Sequence, residues 1–271
     1  MIRRAGLFLG IAAAAMAVGG VAGAQELSIA GTLEGNYAHY DTPGAAQNEY
    51  KGSGSAVFTV DNPGINLQAN FSNSGLKQGD QSADVWTYDG DAFWRDRAGA
   101  FGINGGGDTA SAVIDQTAKA TDKGENVYHY GMFGEFYAIP QLTLRAKGGR
   151  VDGDMTGYYS SAGFAVYPLN SIAISLDADY LKLDKPDPTT RDLTLKAEYM
   201  PVRDIPFTVS IGYTYTMASQ YSGNLNVLFA GLKWYFGGDG RTGSIADHQR
   251  NGPQSWDGPP SSLAALGFNR P

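Results

Sequence analysis

Hydrophobic and polar residues alternate with a period of two along most of the chain. In one segment, for example, Ile172, Ile174 and Leu176 alternate with Ser175 and Asp177. Successive side chains of a β-strand point to opposite faces, so this pattern predicts strands with one apolar and one polar face. About twelve such runs occur, near residues 27–40, 51–61, 65–73, 84–95, 98–104, 126–138, 142–151, 157–167, 172–183, 192–200, 207–216 and 226–236.

The connections between these runs alternate in length. Short turns rich in Pro, Gly, Asn and Asp lie at 62–64, 96–97, 139–141, 168–170 and 201–206. Polar and mostly longer connections lie at 41–50, 74–83, 105–125, 152–156, 184–191 and 217–225. Short turns on one side and long loops on the other are typical of outer-membrane barrels. The pattern therefore predicts an all-β fold, a transmembrane antiparallel up-and-down β-barrel of about twelve strands over residues 25–237.

Aromatic residues on the apolar faces are sorted by strand end. If the first strand runs outward, one belt forms at the outer end and a second at the periplasmic end. Bilayer interfaces favour such belts because amphipathic rings lie at headgroup level. The outer belt contains Tyr37, Trp86, Tyr88, Tyr128, Tyr130, Tyr158, Tyr180, Tyr213 and Tyr215, and the periplasmic belt contains Trp94, Phe136, Tyr199, Phe207, Trp234 and Phe236.

The first 24 residues have the layout of a secretory signal peptide. Arg3 and Arg4 precede an apolar stretch, 7–21, and Ala22-Gly23-Ala24 gives an A-x-A cleavage site. Removal of the two arginines shifts the formal net charge from −7 to about −9, which disfavours nucleic acid as a partner. The chain has no cysteine, so it is not a disulfide scaffold.

The last predicted strand, "NVLFAGLKWYF" (226–236), resembles the C-terminal assembly signal of outer-membrane proteins. In that signal a glycine precedes alternating aromatics, and Gly231, Trp234 and Phe236 occupy those places. The match departs from the pattern in two respects: Phe229 replaces a polar residue, and the strand is not the end of the chain. Most of the chain is similar to the proteobacterial outer-membrane porin-like β-barrels. This resemblance implies an outer-membrane location with periplasmic termini, contact with lipid and with the barrel-assembly machinery, and small hydrophilic solutes as partners.

The polar face of each run is predicted to line the lumen. A water-filled bore tolerates charges that a packed core would not, and about twelve strands predict a narrow passage. Acids outnumber bases in this set, so any ion preference is expected to be weakly cationic. The set contains Glu34, Lys51, Asp61, Asp89, Asp91, Arg95, Glu135, Arg145, Lys147, Asp177, Asp179, Asp192, Lys196, Glu198 and Lys233.

Two roles are open for these charges. Folding about Pro140 places Glu135 opposite Arg145, which predicts a cross-strand ion pair. The bases could face the acids across the bore and orient permeating solutes, or they could simply solvate and brace the wall. The segment 105–125 could form a short helix over 110–120 and fold inward as a constriction, or remain a mobile external loop.

No catalytic, cofactor-binding or metal-binding residue is assigned. Asp152-Gly153-Asp154 is too short for a calcium loop. His129 is predicted to be a solvated lumenal residue, and His39 lies on the lipid face at the outer rim with Ser222 near that rim. On the lipid side of the second strand only Gly52 and Gly54 are available. A membrane-embedded lipase would need a serine beside His39 and a group to orient its ring, so this hypothesis is weak.

The tail, 238–271, is rich in Gly, Pro, Ser and Asp, and is predicted to be largely disordered. A short helix over 261–268, a plug for the lumen and a periplasmic contact are open alternatives. Three functions are therefore carried forward: a passive channel for small hydrophilic solutes or ions, which is favoured and is not an enzyme; a closed structural or surface-binding barrel; and a barrel-borne lipid hydrolase.

Overall fold

The computed structural model describes residues 27–42, 45–60, 64–78, 81–115, 120–121, 125–185, 189–202, 205–219, 224–237 and 243–254. The signal peptide, Asp61 and the segment 255–271 lie outside these residues. Twelve long strands account for most of them: β1 (Leu27–Thr42), β2 (Ala45–Val60), β3 (Ile65–Gln78), β4 (Gln81–Arg95), β5 (Gly99–Asp115), β6 (Glu125–Ile139), β7 (Leu142–Gly153), β8 (Thr156–Leu169), β9 (Ile172–Lys185), β10 (Thr189–Tyr199), β11 (Phe207–Ala218) and β12 (Asn224–Gly237). A two-residue strand, Ala120–Thr121, pairs with the end of β5.

Each long strand pairs antiparallel with its neighbours in sequence, and β12 pairs with β1 to close the barrel. Tyr37 lies opposite Ala230 in this closing register. The predicted fold class is therefore confirmed. The short turns also fall where they were predicted; Gly64 ends the β2–β3 turn at a positive φ of 83°, where an added Cβ would meet the Arg95 carbonyl.

Two names are used below for the ends of the barrel. The terminal mouth is the end at which β1 begins with Leu27 and β12 ends with Gly237. The loop mouth is the opposite end. Among the described residues, no helix is long and apolar enough to cross a membrane.

The strands extend further toward the loop mouth than the alternation predicted. Gly105 to Ala110 lie between β4 and β6 and pair with both, so Gly107 faces Tyr88 on one side and Tyr128 on the other. The alternative of a short helix over 110–120 is therefore wrong as far as Asp115, because these residues continue β5 and those from Ala110 to Val113 pair with β4. The ends of these hairpins are polar, so the sequence shows no alternation of apolar and polar residues there. Their strand structure is evident only from their pairing with the neighbouring strands.

The exterior of the barrel is apolar. Leu33, Phe101 and Ile211 are 59%, 60% and 58% exposed. Most of the predicted girdle aromatics are exposed on the same face, and Tyr180, Phe207 and Tyr215 are half-buried. The ring of Phe236 covers Gly31, where a Cβ would collide with it. Tyr37, Trp86, Tyr128, Tyr180 and Tyr213 lie toward the loop mouth, and Trp94, Trp234 and Phe236 lie toward the terminal mouth.

The interior is not uniformly polar, which corrects the prediction from residue parity. One apolar cluster lies on the concave face near the loop mouth and a second lies across the β1–β12 closure. The first contains Val127, Val151, Met155, Tyr159, Leu181 and Leu183, and the second contains Ala38, Tyr40, Leu76, Leu225 and Val227. Apart from Met155, which lies in the β7–β8 turn, these residues share strand parity with the inward polar side chains. A strand pattern does not show how closely opposite walls approach.

An arginine on the exterior should destabilise the barrel according to its depth. We expect Ile211→Arg to cost about 2–4 kcal/mol, because this side chain lies between the two aromatic belts. Met217→Arg, near the loop-mouth end of the same strand, should cost at most about 1 kcal/mol. The measurement is the urea dependence of folding into lipid vesicles, followed by electrophoretic mobility. Equal losses at the two positions would contradict a membrane-facing exterior.

Candidate functional site

Charged side chains meet on the concave face of the barrel, near the terminal mouth. Lys233 Nζ of β12 lies 3.0 Å from Glu34 Oε2 of β1 and 4.0 Å from Glu198 Oε2 of β10. Lys196 Nζ lies 3.4 Å from the same Glu198 oxygen. Lys233 and Glu198 are only 6% and 2% exposed, so they meet over β11 on the buried, inner side of the wall. We call these four residues the lysine network.

Glu198 is the most connected member of this network and is only 2% exposed. The hydroxyl groups of Thr208 and Tyr235 donate to its Oε1 at 2.9 and 2.7 Å. Gln249 Nε2 donates to its Oε2 at 3.4 Å. A buried carboxylate with this many partners is held ionised and fixed in place.

Arg145 forms a second pair across the interior. Its guanidinium donates twice to the Asp177 carboxylate, with Nε at 2.7 Å from Oδ1 and the second contact through Nη2 and Oδ2. The predicted register is present, since Glu135 lies opposite Arg145. However, the Arg145 guanidinium donates to Asp177 of β9. The Tyr137 hydroxyl donates to Glu135 at 3.1 Å. The sequence predicted that Glu135 lies opposite Arg145, but it did not predict the hydrogen bonds from the Arg145 guanidinium to Asp177.

His129 lies in a third cluster and its side chain is fully buried. Its Nε2 is 2.6 Å from Asp89 Oδ1 and its Nδ1 is 3.7 Å from Asp108 Oδ2. Thr87 Oγ1 also donates to Asp108 at 2.6 Å. The prediction of a solvated histidine is therefore wrong. Asp108 joins the cluster only because β5 continues beyond residue 104, so the alternation of the chain carried no signal for it.

The remaining predicted charges are distributed along the same face. Asn70 Nδ2 donates to Asp91 Oδ2 at 2.8 Å. Asp179 lies opposite Asp192 in the strand register, which places two acids side by side. Lys51 lies opposite Asn36 and Ser74, and Lys147 lies opposite Phe133 and Ser161. Within the described ranges, no group of three or more His, Cys, Asp or Glu residues is arranged to hold a metal ion.

His39 contacts an amide on the exterior. Its Nδ1 lies 2.9 Å from Asn48 Oδ1, which also accepts from the Tyr37 hydroxyl at 2.8 Å. The prediction that only Gly52 and Gly54 of the second strand share this face is wrong, because β2 begins at Ala45. Ser222 lies outside the described residues.

The tail contributes an ordered segment to the terminal mouth. Residues 243–254 contain the helix α1 (Ile245–Asn251), which begins with a reciprocal capping box between Ser244 and Asp247. We call residues 243–254 the docking segment. Ile245 and Ala246 are buried in one cluster with Ala165, Tyr167, Ala173 and Met200 of the barrel. The Gly, Pro, Ser and Asp content of the tail predicted disorder. A solitary helix of seven residues is marginal, and burial of Ile245 and Ala246 against the barrel wall stabilises this one.

Polar contacts hold the rest of the docking segment inside the mouth. Gln254 and Gln68 exchange two hydrogen bonds: the Gln254 N–H donates to Gln68 Oε1 at 2.7 Å, and Gln68 Nε2 donates to the Gln254 carbonyl at 2.9 Å. Arg95 Nη2 donates to the Gly252 carbonyl at 2.8 Å. Tyr167 donates to Gln249 Oε1 at 3.0 Å. Two predicted lumenal charges, Arg95 and Glu198, therefore bind this segment.

His248 stacks on Tyr235 at the inner wall, with ring centroids 5.0 Å apart and planes 24° from parallel. Burial lowers the pKa of His248 below its ordinary value of 6.5, and the neighbouring Asp247 only partly opposes this. The docked segment therefore favours a neutral imidazole.

Comparisons with known proteins agree with the fold. The sequence matches no protein-family model and no curated protein. An outer-membrane channel from Pseudomonas putida F1 aligns with a TM-score of 0.59 at 8% identity, over 77% of this chain and 95% of that one. The KdgM porin in complex with disordered oligogalacturonate aligns at 0.49 and 13% identity, over 76% and 99%. The NalP autotransporter translocator domain from Neisseria meningitidis aligns at 0.45 and 12%, over 84% and 95%. The fold is thus that of outer-membrane β-barrels.

The lysine network should be costly to break. Lys233→Met leaves Glu34 and Glu198 without their shared cation, and we expect a loss of about 3–5 kcal/mol in unfolding free energy. As a control, Arg150→Met breaks a 3.9 Å pair with Asp184 whose side chains are 56% and 47% exposed. That loss should stay below about 1 kcal/mol. Urea unfolding in detergent micelles measures both, and equal losses would show that the network is solvated.

Binding of the docking segment to the terminal mouth should weaken at acidic pH. Because the His248 pKa is lowered when the segment is docked, protonation favours the undocked state, and the stabilisation present above pH 6.5 is lost as the pH falls below that value. Spin labels on Asn251→Cys and Val202→Cys should give a narrow distance distribution at pH 8 that broadens at pH 5. His248→Phe keeps the ring stack without titrating, so its distribution should not change. Broadening in this control would contradict the assignment.

Proposed function

We propose that this outer-membrane β-barrel is a channel for passive diffusion of small hydrophilic solutes or ions. The observation that carries the proposal is the closed barrel whose exterior is apolar and whose concave face carries ion pairs between non-adjacent strands. Packed apolar cores do not accommodate charges of this number, whereas a hydrated passage does. In this proposal the barrel spans the outer membrane with its terminal mouth in the periplasm.

The predicted lumen residues form the wall of the passage in this proposal, and the girdle aromatics contact the two bilayer interfaces. Paired bases such as Arg145 and Lys233 present little free positive charge to a solute. The adjacent acids Asp179 and Asp192 favour cations. These features support weak cation selectivity set by bore size and wall charge.

A closed surface-binding barrel is the second candidate. The observation that favours it is the pair of apolar clusters on the concave face, whose Leu181 and Leu183 are 0% and 1% exposed. In this case the segments at the loop mouth would bind a partner and no steady current would flow. The hydrolase hypothesis gains no support, because the partner that His39 contacts is an amide oxygen of Asn48 and not a hydroxyl.

Current through planar bilayers tests the channel. Ser161 faces the interior and is 9% exposed, whereas its neighbour Ser160 faces outward. We expect Ser161→Trp to lower the single-channel conductance at least about two-fold by narrowing the bore, and Ser160→Trp to leave it unchanged. Deletion of residues 243–271 should raise the conductance. Absence of steady current in every variant, with the barrel folded, would establish the closed alternative.

A further inference from the structure

The side chain of Arg250 enters a pocket at the terminal mouth that is built from three consecutive strands. Its guanidinium lies 4.9 Å from the ring centre of Tyr137 in β6 and 5.3 Å from that of Tyr167 in β8. Its Nε donates to Thr143 Oγ1 in β7 at 3.0 Å. Its Nη2 donates to the carbonyl groups of Ile139 and Leu142 at 2.9 and 3.1 Å. We call these five barrel residues the arginine pocket.

We propose that the arginine pocket is a binding site for guanidinium-bearing solutes or peptides, and that Arg250 occupies it as a displaceable internal ligand. A ligand that displaces Arg250 would also release the docking segment from the terminal mouth. The effect of that release on transport rests on the proposed channel. The pocket itself exists whether or not the barrel conducts.

The donor and acceptor pattern selects a guanidinium. Three oxygen acceptors, two of them fixed carbonyls at the β6–β7 turn, match a planar fork that donates in several directions. Two tyrosine rings within about 6 Å add cation–π attraction. A lysine ammonium carries all its donors on one nitrogen and cannot occupy the separate Nε and Nη2 positions at once, so the pocket discriminates against it.

The same contacts also explain why the occupant is exchangeable. The groups that hold the Arg250 guanidinium are a hydroxyl, two carbonyl groups and two rings, all of them uncharged. Residues 238–242 connect the docking segment to β12, so docking is intramolecular, and short linkers give effective concentrations on the order of millimolar. A free guanidinium ligand must therefore compete at millimolar concentrations.

A thiol accessibility assay on the full chain tests the pocket without relying on current. The sequence contains no cysteine, and Pro253 is buried in the docked segment, so Pro253→Cys provides a single reporter. In folded protein a bulky maleimide should react slowly at this site. We expect Arg250→Ala to raise the rate at least about ten-fold, and Arg250→Lys to raise it nearly as much, because the charge is kept but the fork is lost.

Ligand competition identifies the chemistry. Adding about 1–100 mM arginine amide, a range that spans the effective concentration on the order of millimolar, should accelerate labelling of the Pro253→Cys reporter in a saturable manner. Lysine amide at the same ionic strength should have little effect. Equal acceleration by both amides would overturn the guanidinium assignment, and an unchanged rate in Arg250→Ala would show that the pocket does not hold the segment.

Conductance then separates this inference from the channel proposal. If arginine amide accelerates labelling but no variant conducts, the pocket stands and the channel fails. If deletion of the segment opens a current but arginine amide neither accelerates labelling nor changes the current, the channel stands and the pocket fails. Tyr167→Leu provides a further check, since it removes one ring and the hydroxyl that binds Gln249, and it should weaken docking in the labelling assay.

Discussion

Every backbone N–H and C=O at membrane depth needs a hydrogen-bond partner within the protein. Hydrocarbon offers no hydrogen bonds, and an open sheet edge there would cost several kcal/mol for each unpaired group. The pairing of β1 with β12 over twelve opposed residues, from Ala30 to Asp41, removes the last edge. The apolar exterior, the alternation along each strand and the short turns are all consequences of building this closed surface.

Closure of the barrel places charged side chains in an interior where they need oppositely charged partners or hydrogen-bond donors. Side chains from strands that are not neighbours converge there, and the lysine network and the Arg145–Asp177 pair are the results. Such pairs exist because burying one ion alone is far more costly than burying two together with additional donors. Several of the charges on the wall are therefore compensated by neighbouring side chains, and the two acids Asp179 and Asp192 lie side by side in the strand register.

The docking segment links the wall to the proposed transport function. Its apolar helix face covers Met200 and Tyr167, and its polar edge binds groups that would otherwise face water in the bore. Each of the described hydrogen bonds from this segment to the barrel joins at least one uncharged group. This segment is therefore the element through which we propose that solutes bearing a guanidinium group act on the terminal mouth.

The strand number, the order of short turns, the direction of each face and the register that places Glu135 opposite Arg145 can all be read from the amino-acid sequence. These features follow from the alternation of apolar and polar residues, which depends only on residues that are close together in the sequence. Three other features depend on the folded barrel: the choice of Asp177 by Arg145, the burial of His129 between Asp89 and Asp108, and the entry of Arg250 between Tyr137 and Tyr167. Each joins residues from strands or segments far apart in the chain, and alternation along one strand has no information about what lies across the barrel.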